Sequence, residues 1–104
     1  MVEVVVSQQA RTDLLSIIGY LATVASRGVT RSWHDRLWAA IDHLAEWPGE
    51  GAPRPKLGAN VRIKVVGPYL VIYEHQRGDT TLHVLRVLYG SRRITRKLVR
   101  AGSR

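Results

Sequence analysis

The sequence predicts an α+β domain: an N-terminal strand and an antiparallel helical hairpin packed on a small antiparallel sheet, in the order β-α-α-β-β-β with a short C-terminal element. Three observations lead to this fold class. A short apolar run opens the chain, two segments then repeat apolar residues at helical spacing, and residues 60–93 hold three apolar runs divided by turn signals. At 104 residues, the chain is long enough for one domain, spanning 1–104, with a single core.

The first strand and the first helix follow from residues 2–26. Residues 2–6 are apolar except for Glu3, which is typical of a strand with much of both faces covered. Ser7 is a suitable N-cap, because its hydroxyl accepts a hydrogen bond from a free backbone N–H. A helix to Ser26 is then predicted, and Gly28 is expected to close it as the residue after the C-cap. Its apolar stripe consists of Ala10, Leu14, Ile17, Leu21 and Val24.

The second helix is predicted to begin at Thr30 or Ser32 and to end before Pro48, which cannot continue a helix. Because only a few residues around Gly28 separate the two helices, we expect them to pack as an antiparallel hairpin. The apolar stripe of this helix consists of Trp33, Leu37, Ile41 and Leu44.

Three strands are predicted near residues 61–66, 69–76 and 82–89, joined by turns at 67–68 and 77–79. β-branched and aromatic residues dominate each run, and strands joined by tight turns are antiparallel. Arg62, Lys64 and Arg86 interrupt the apolar residues, so we expect the sheet to bury one face and present charge on the other. Residues 92–104 are predicted to form a short basic helix that docks by an apolar edge. That edge consists of Ile94, Leu98 and Val99.

The composition limits the cellular location and the kinds of partner that are expected. The chain has no cysteine, no apolar run near the ~20 residues of a membrane helix, and no secretory signal at its N-terminus, so a cytoplasmic location is expected. The formal charge is +8, and it is unevenly placed: residues 1–50 sum to −2 and residues 51–104 to +10. This asymmetry favours an anionic partner, either nucleic acid, an acidic protein segment or a membrane surface.

No spacing of residues indicates a metal site, a phosphate-binding loop or a cofactor. His75 and His83 lie on successive predicted strands and are interpreted first as solvated sheet residues. A metal-independent ribonuclease is the alternative, since it needs a general base, a general acid and cations around the phosphate. Histidine or tyrosine would supply the base and the acid, and the candidate cations are Arg62, Lys64, Arg86 and Arg92.

Four aromatic residues are candidates for partner contact. Tyr69, Tyr73 and Tyr89 either fill the sheet face or stack on nucleic-acid bases. Alternation along the strand places Tyr69, Tyr73 and His75 on one face, which leaves both interpretations open. Trp38 lies about 100° from Leu37 around the second helix, so it either packs at the boundary or marks a partner-binding patch.

Several fragments of the sequence recur together in this order. The opening strand and ARTDL at 10–14 are followed by IDHLAEWP at 41–48 and Gly51. Next come the most distinctive fragments, VRI at 61–63, GPYLVIY at 67–73 and LRVLYGSRR at 85–93. Taken together, and over nearly the whole chain, these fragments resemble the ParE/RelE superfamily of toxins from bacterial type II toxin–antitoxin modules.

Two branches of that superfamily imply different mechanisms. RelE-like members cut messenger RNA in the ribosomal A site, whereas ParE-like members inhibit DNA gyrase. Arg62, Lys64 and Arg92 match basic positions of the nuclease branch, but Leu70 replaces an arginine and Leu98 stands where that branch has its catalytic tyrosine. The loss of such groups costs about 10²-fold or more each, so the resemblance favours the ParE-like branch and no catalytic residues.

The resemblance also implies a ParD-like antitoxin with an acidic toxin-binding segment, which is compatible with the charge of +10 on residues 51–104. The candidate residues for target or antitoxin binding are Arg62, Lys64, Tyr69, Tyr73, Arg86, Tyr89, Arg92, Arg93 and Trp38. Two alternatives stay open at this point. One is a ribosome-dependent endoribonuclease using Arg62, Lys64, Arg92, Tyr89 and His83, and the other is a non-toxic basic domain that binds nucleic acid.

Overall fold

A computed structural model describes residues 1–90 and 93–101. One mixed five-stranded sheet, ordered β1-β5-β4-β3-β2, carries two long helices on one face and a short helix on the other. This architecture confirms the predicted α+β class and the predicted order of its elements. The elements are β1 (Glu3–Val6), α1 (Gln8–Val24), α2 (Arg27–His43), β2 (Ala52–Pro53), β3 (Val61–Val66), β4 (Tyr69–Glu74), β5 (Thr81–Tyr89) and α3 (Arg96–Arg100).

The N-cap of α1 is confirmed at Ser7, whose Oγ accepts a hydrogen bond from the Ala10 N–H at 3.0 Å. The predicted start of the second helix is wrong. Ser26 caps α2 by accepting from the Val29 N–H at 3.1 Å, while the Thr30 hydroxyl donates to the Ser26 carbonyl inside the first turn. Gly28 therefore lies within α2, and the hairpin connection shortens to residues 25–26.

The sheet combines a meander with one parallel pairing. β3, β4 and β5 are antiparallel neighbours, and β3 has the predicted bounds; β4 ends two residues earlier than expected and β5 begins one residue earlier. β1 joins the far edge in parallel with β5, which the sequence did not predict. A register shift between Ile72 and Tyr73 adds a residue to β5, so Leu85 and Leu88 face away from Val84 and Val87.

Apolar residues cover both faces of the sheet. The helix-side cluster is built on α1, α2 and the inner residues of β4 and β5, and the opposite cluster is closed by α3. The expectation that one face would present charge is therefore wrong, because the C-terminal segment supplies a second apolar layer. Buried members of the opposite cluster are Val61, Ile63, Ile72, Leu85, Leu88 and Val99.

The turn between β3 and β4 passes directly under α2, where Gly67 adopts a positive φ of 58° against the ring of Trp33.

Among the described residues, no helix has both the length and the apolar character needed to cross a membrane.

Candidate functional site

Two of the predicted site cations contact the loop formed by residues 47–51, which follows α2. The Arg62 guanidinium donates to the carbonyls of Gly49 and Gly51, at 3.1 and 2.7 Å. The Lys64 ammonium donates to Glu50 Oε2 at 2.8 Å, and this bond is the main reason why the pKa of Glu50 falls below its ordinary value of 4.5. Both cations therefore hold this loop against β3.

Tyr73 lies beneath the same loop and has no exposed surface. Its hydroxyl donates to the Pro48 carbonyl and accepts from the Gly51 N–H, both at 2.8 Å. Burial raises the pKa of Tyr73 above its ordinary value of 10.0, against a smaller opposing effect of the Gly51 N–H, so the phenol stays protonated near neutral pH. A side chain buried in this way presents no surface to a partner.

Replacing Tyr73 by phenylalanine is expected to lower the free energy of unfolding by about 2 kcal/mol, because two loop groups lose their hydrogen-bond partner while the ring is kept. Urea unfolding of the variant beside Tyr20→Phe, which removes a hydroxyl from a side chain that is 65% exposed, measures the difference. The folded-state pKa is raised, so the contribution of the phenol is present below pH 10 and is lost as the pH rises further. Equal stability of the two variants at pH 7 would contradict the prediction.

Arg86 is also internal, at 5% exposure, although it was predicted as a contact residue. Its Nε and Nη2 donate to the two Asp13 oxygens at 2.7 and 2.9 Å, and its Nη1 donates to the Leu98 carbonyl at 3.0 Å. Asp13 also accepts from the Val87 N–H at 3.1 Å, along the part of β5 that β1 does not reach. The pair thus joins α1, β5 and α3.

The accessible part of the candidate site is a groove of about 580 Å³ between α1 and the end of β5. We call it the tyrosine groove, after Tyr20, Tyr69 and Tyr89. Tyr69 forms its base, edge-on to Trp33 at 5.3 Å and to Tyr89 at 5.9 Å, and burial raises its pKa. Tyr20 and Tyr89 are 65% and 53% exposed at the rim. The other lining residues are Asp13, Ser16, Ile17, Val87 and Leu88.

The groove brings together two predicted contact residues, Tyr69 and Tyr89, and adds Tyr20, which the sequence analysis missed. Tyr20 follows Ile17 by three residues, so it lies beside the apolar stripe of α1. That spacing was the available signal, but it does not distinguish a rim residue from a core residue.

The remaining candidates are dispersed. Trp38 is half-buried against the helix-side core, with the Arg11 guanidinium 6.0 Å from its ring centroid. His83 is exposed at the start of β5, six residues from Tyr89, a separation of about 20 Å along a strand. Arg93 is exposed before α3, and Arg92 lies outside the described residues. Within the described part of the chain, no three His, Asp or Glu side chains are grouped to hold a metal ion.

Comparisons with known proteins give one family match and one similar fold. A family model described as the ParE toxin of the type II toxin–antitoxin system parDE matches residues 4–94. A solved structure of the chromosomal ParDE toxin–antitoxin system from P. aeruginosa is similar in fold, with a TM-score of 0.72 and 16% sequence identity. The similarity covers 86% of this chain and 96% of that chain. No curated protein matches the sequence.

Proposed function

The chain belongs to the ParE toxin family of type II toxin–antitoxin systems, and from this premise we propose that it inhibits DNA gyrase in the cytoplasm and is neutralised by a cognate antitoxin. The observation that supports a protein target is that the candidate cations of the site bind groups within the chain itself. Arg62 and Lys64 bind the 47–51 loop, and Arg86 binds Asp13.

This arrangement supports binding to a protein target more than cleavage of RNA. Phosphoryl transfer needs cations aimed at the position where charge develops, and a base and an acid within reach of the same phosphate. His83 and Tyr89, the candidate proton donors and acceptors, lie at opposite ends of β5. Leu70 and Leu98 stand at the positions where the resemblance places an arginine and a tyrosine in nucleases.

The tyrosine groove is the proposed contact surface for gyrase. Exposed tyrosine at the edge of an apolar groove is typical of residues that contribute strongly to protein–protein affinity. Tyr69 is held by aromatic contacts on both sides, so its neighbour Tyr89 projects from a rigid base. A rigid rim lowers the entropy lost on binding.

The proposal predicts that the purified protein inhibits supercoiling of relaxed plasmid by gyrase. The double variant Tyr20→Ala with Tyr89→Ala is expected to need at least about tenfold more protein for half inhibition, because two anchors of the interface are removed. Trp47→Ala is the control, since Trp47 is 58% exposed and lies outside the groove. It is expected to inhibit like the unmodified protein.

Three results would contradict this proposal or a part of it. Unchanged supercoiling and no trapped cleavage complex, at excess of the unmodified protein, would reject gyrase as the target. An equal loss of inhibition in Trp47→Ala would reject the groove as the contact surface. Cuts at codon positions in translated messenger RNA, abolished by Arg62→Ala, would favour the ribosome-dependent nuclease instead.

Neutralisation is proposed to use the charge of the chain. A ParD-like antitoxin with an acidic segment would be attracted by a protein of net charge +8. Co-expression with the neighbouring reading frame is expected to relieve growth arrest and to yield a stable complex on purification. Growth arrest that persists, with no complex formed, would reject that reading frame as the antitoxin.

A further inference from the structure

Two segments that are distant in sequence form one exposed cationic surface. The Arg96 Nε donates to the Lys56 carbonyl at 3.2 Å, so α3 lies against the loop that precedes β3. Leu57 packs in the same apolar cluster as Ile94 and Leu98, which fixes this contact from beneath. All six cations of the two segments are exposed; we call them the basic surface, and they are Arg54, Lys56, Arg93, Arg96, Lys97 and Arg100.

No carboxylate side chain belongs to the two stretches that build this surface. The sequence has no Asp or Glu at 51–73 or at 80–104, and Glu74 and Asp79 are at the end of β4 and in the turn that follows it. Six cations without interspersed anions give a one-sided positive potential, whereas a surface evolved only for solubility usually mixes both signs.

The apolar residues of the same segment point inward. Val99 is 2% exposed, and Ile94 and Leu98 are half-buried against the sheet. The basic surface therefore offers charge without an apolar anchor. High-affinity protein interfaces depend on buried aromatic or aliphatic anchors, whereas binding to a nucleic-acid backbone depends on neutralising phosphates.

Aromatic residues are absent from the two segments that form this surface, 54–57 and 93–101. Proteins that bind single strands usually stack bases on aromatic side chains, so the surface suits a duplex better than a single strand. Arginine provides four of its six cations and binds phosphate through two parallel N–H groups.

We propose that the basic surface binds the phosphate backbone of duplex DNA. The choice of DNA over duplex RNA rests on the proposed gyrase target, which acts on duplex DNA. A toxin held on DNA would meet gyrase at a raised local concentration, as linked binding sites do. DNA binding itself is measured without gyrase, so its failure is separable from failure of the proposed function.

The test uses the full chain and a fluorescein-labelled 20-base-pair DNA duplex of mixed sequence, with anisotropy read between 50 and 200 mM salt. Neutralising about four phosphates predicts that affinity falls about 100-fold over this fourfold rise in salt. The double variant Arg96→Glu with Lys97→Glu is expected to bind at least about 30-fold more weakly at 50 mM salt and to have a smaller salt slope.

Two further double variants test whether a loss of binding arises at the basic surface itself, and not from the lower net charge or from unfolding of α3. Arg54→Glu with Lys56→Glu changes the other segment and is expected to weaken binding to a similar extent. Arg27→Glu with Arg31→Glu makes the same change in charge at the exposed start of α2 and is expected to stay within about threefold of the unmodified protein. Circular dichroism confirms that each variant is folded.

Several outcomes would overturn the proposal. These are no binding at 50 mM salt, an equal loss in all three double variants, or displacement of the duplex by polyglutamate as efficiently as by unlabelled DNA. The last result would assign the surface to an acidic polypeptide. Tighter binding to duplex RNA of the same length would reject DNA as the source of the phosphates.

Discussion

Replacing Asp13 by alanine is expected to lower the free energy of unfolding by about 3–5 kcal/mol, enough to unfold a large share of a marginally stable domain. The substitution leaves the buried Arg86 guanidinium without its carboxylate. The side chains of Arg86 and Asp13 are only 6% and 11% exposed, so water is a poor substitute for the lost carboxylate. The Val87 N–H loses its acceptor as well.

The expected loss of stability arises because buried hydrogen bonds of Asp13 are broken, and not because a surface charge is removed. Chemical denaturation of Asp13→Ala is compared with Asp35→Ala, which removes a carboxylate that is 67% exposed and that contacts its neighbour His34. Asp35→Ala is expected to change stability by less than about 0.5 kcal/mol. A double variant, Asp13→Ala with Arg86→Met, is expected to recover part of the loss, because no unpaired charge then remains buried.

The prediction fails if Asp13→Ala costs no more than Asp35→Ala. In that case water would have to reach the Arg86 guanidinium through the tyrosine groove, which Asp13 lines. Hydrogen exchange at the Val87 N–H, which donates to Asp13, would then be fast already in the unmodified protein. Slow exchange at Val87 is expected instead.

The placement of Arg86 illustrates what the sequence could not provide. Charge inside an apolar strand predicts an outward side chain, because an isolated buried guanidinium is costly. Its partner Asp13 lies 73 residues earlier, and no local pattern pairs the two. The register shift at Ile72 and Tyr73 also changes which face the later residues of β5 occupy, and simple alternation does not anticipate it.

The N-cap of a helix could be predicted where a single residue before the helix had a suitable side chain. Ser7 follows the apolar run of β1 and was assigned as the N-cap of α1, as the structure has it. At the second helix, Ser26, Thr30 and Ser32 all have the chemistry of an N-cap, and the sequence does not rank them. The structure selects Ser26, which also makes the turn between the helices as short as two residues.

The three tyrosines on the strands show how far the candidate site could be predicted from the sequence. Tyr69, Tyr73 and Tyr89 lie in similar strand contexts, and sequence assigns them equal chances of partner contact. The structure buries Tyr73 under the 47–51 loop, places Tyr69 at the base of the groove and leaves Tyr89 at its rim. The difference arises from the loop that covers one end of β4 and from the open edge of β5 at the other, neither of which has a periodic signal.

The second large effect is expected at Gly67, where alanine should lower the free energy of unfolding by about 2–4 kcal/mol. Two costs add at this position. The residue has a φ of 58°, a left-handed conformation that disfavours any side chain. A Cβ there would also overlap Trp33 Cη2 and would lie 2.9 Å from Trp33 Cζ3.

The Trp33 ring has little freedom to yield. Tyr69 packs edge-on against it with ring centroids 5.3 Å apart, and the Arg36 guanidinium lies 4.0 Å from the centroid of the Trp33 ring. Moving the ring would therefore disturb the base of the tyrosine groove. We expect Gly67→Ala to weaken both folding and gyrase inhibition, whereas Trp47→Ala leaves gyrase inhibition unchanged.

Gly78→Ala is the matched control, because Gly78 also has a positive φ, 92°, but no atom of the described residues, apart from its chain neighbours, lies within 4 Å of the position where a Cβ would be built. It is expected to cost only the conformational strain, about 1–2 kcal/mol. The difference between the two variants in urea unfolding measures the contact with Trp33. Equal losses would mean that the ring yields freely, and then Gly67→Ala together with Trp33→Leu should be no more stable than Gly67→Ala alone. If the ring resists, as the packing of Tyr69 and Arg36 requires, Trp33→Leu should offset part of the loss caused by Gly67→Ala.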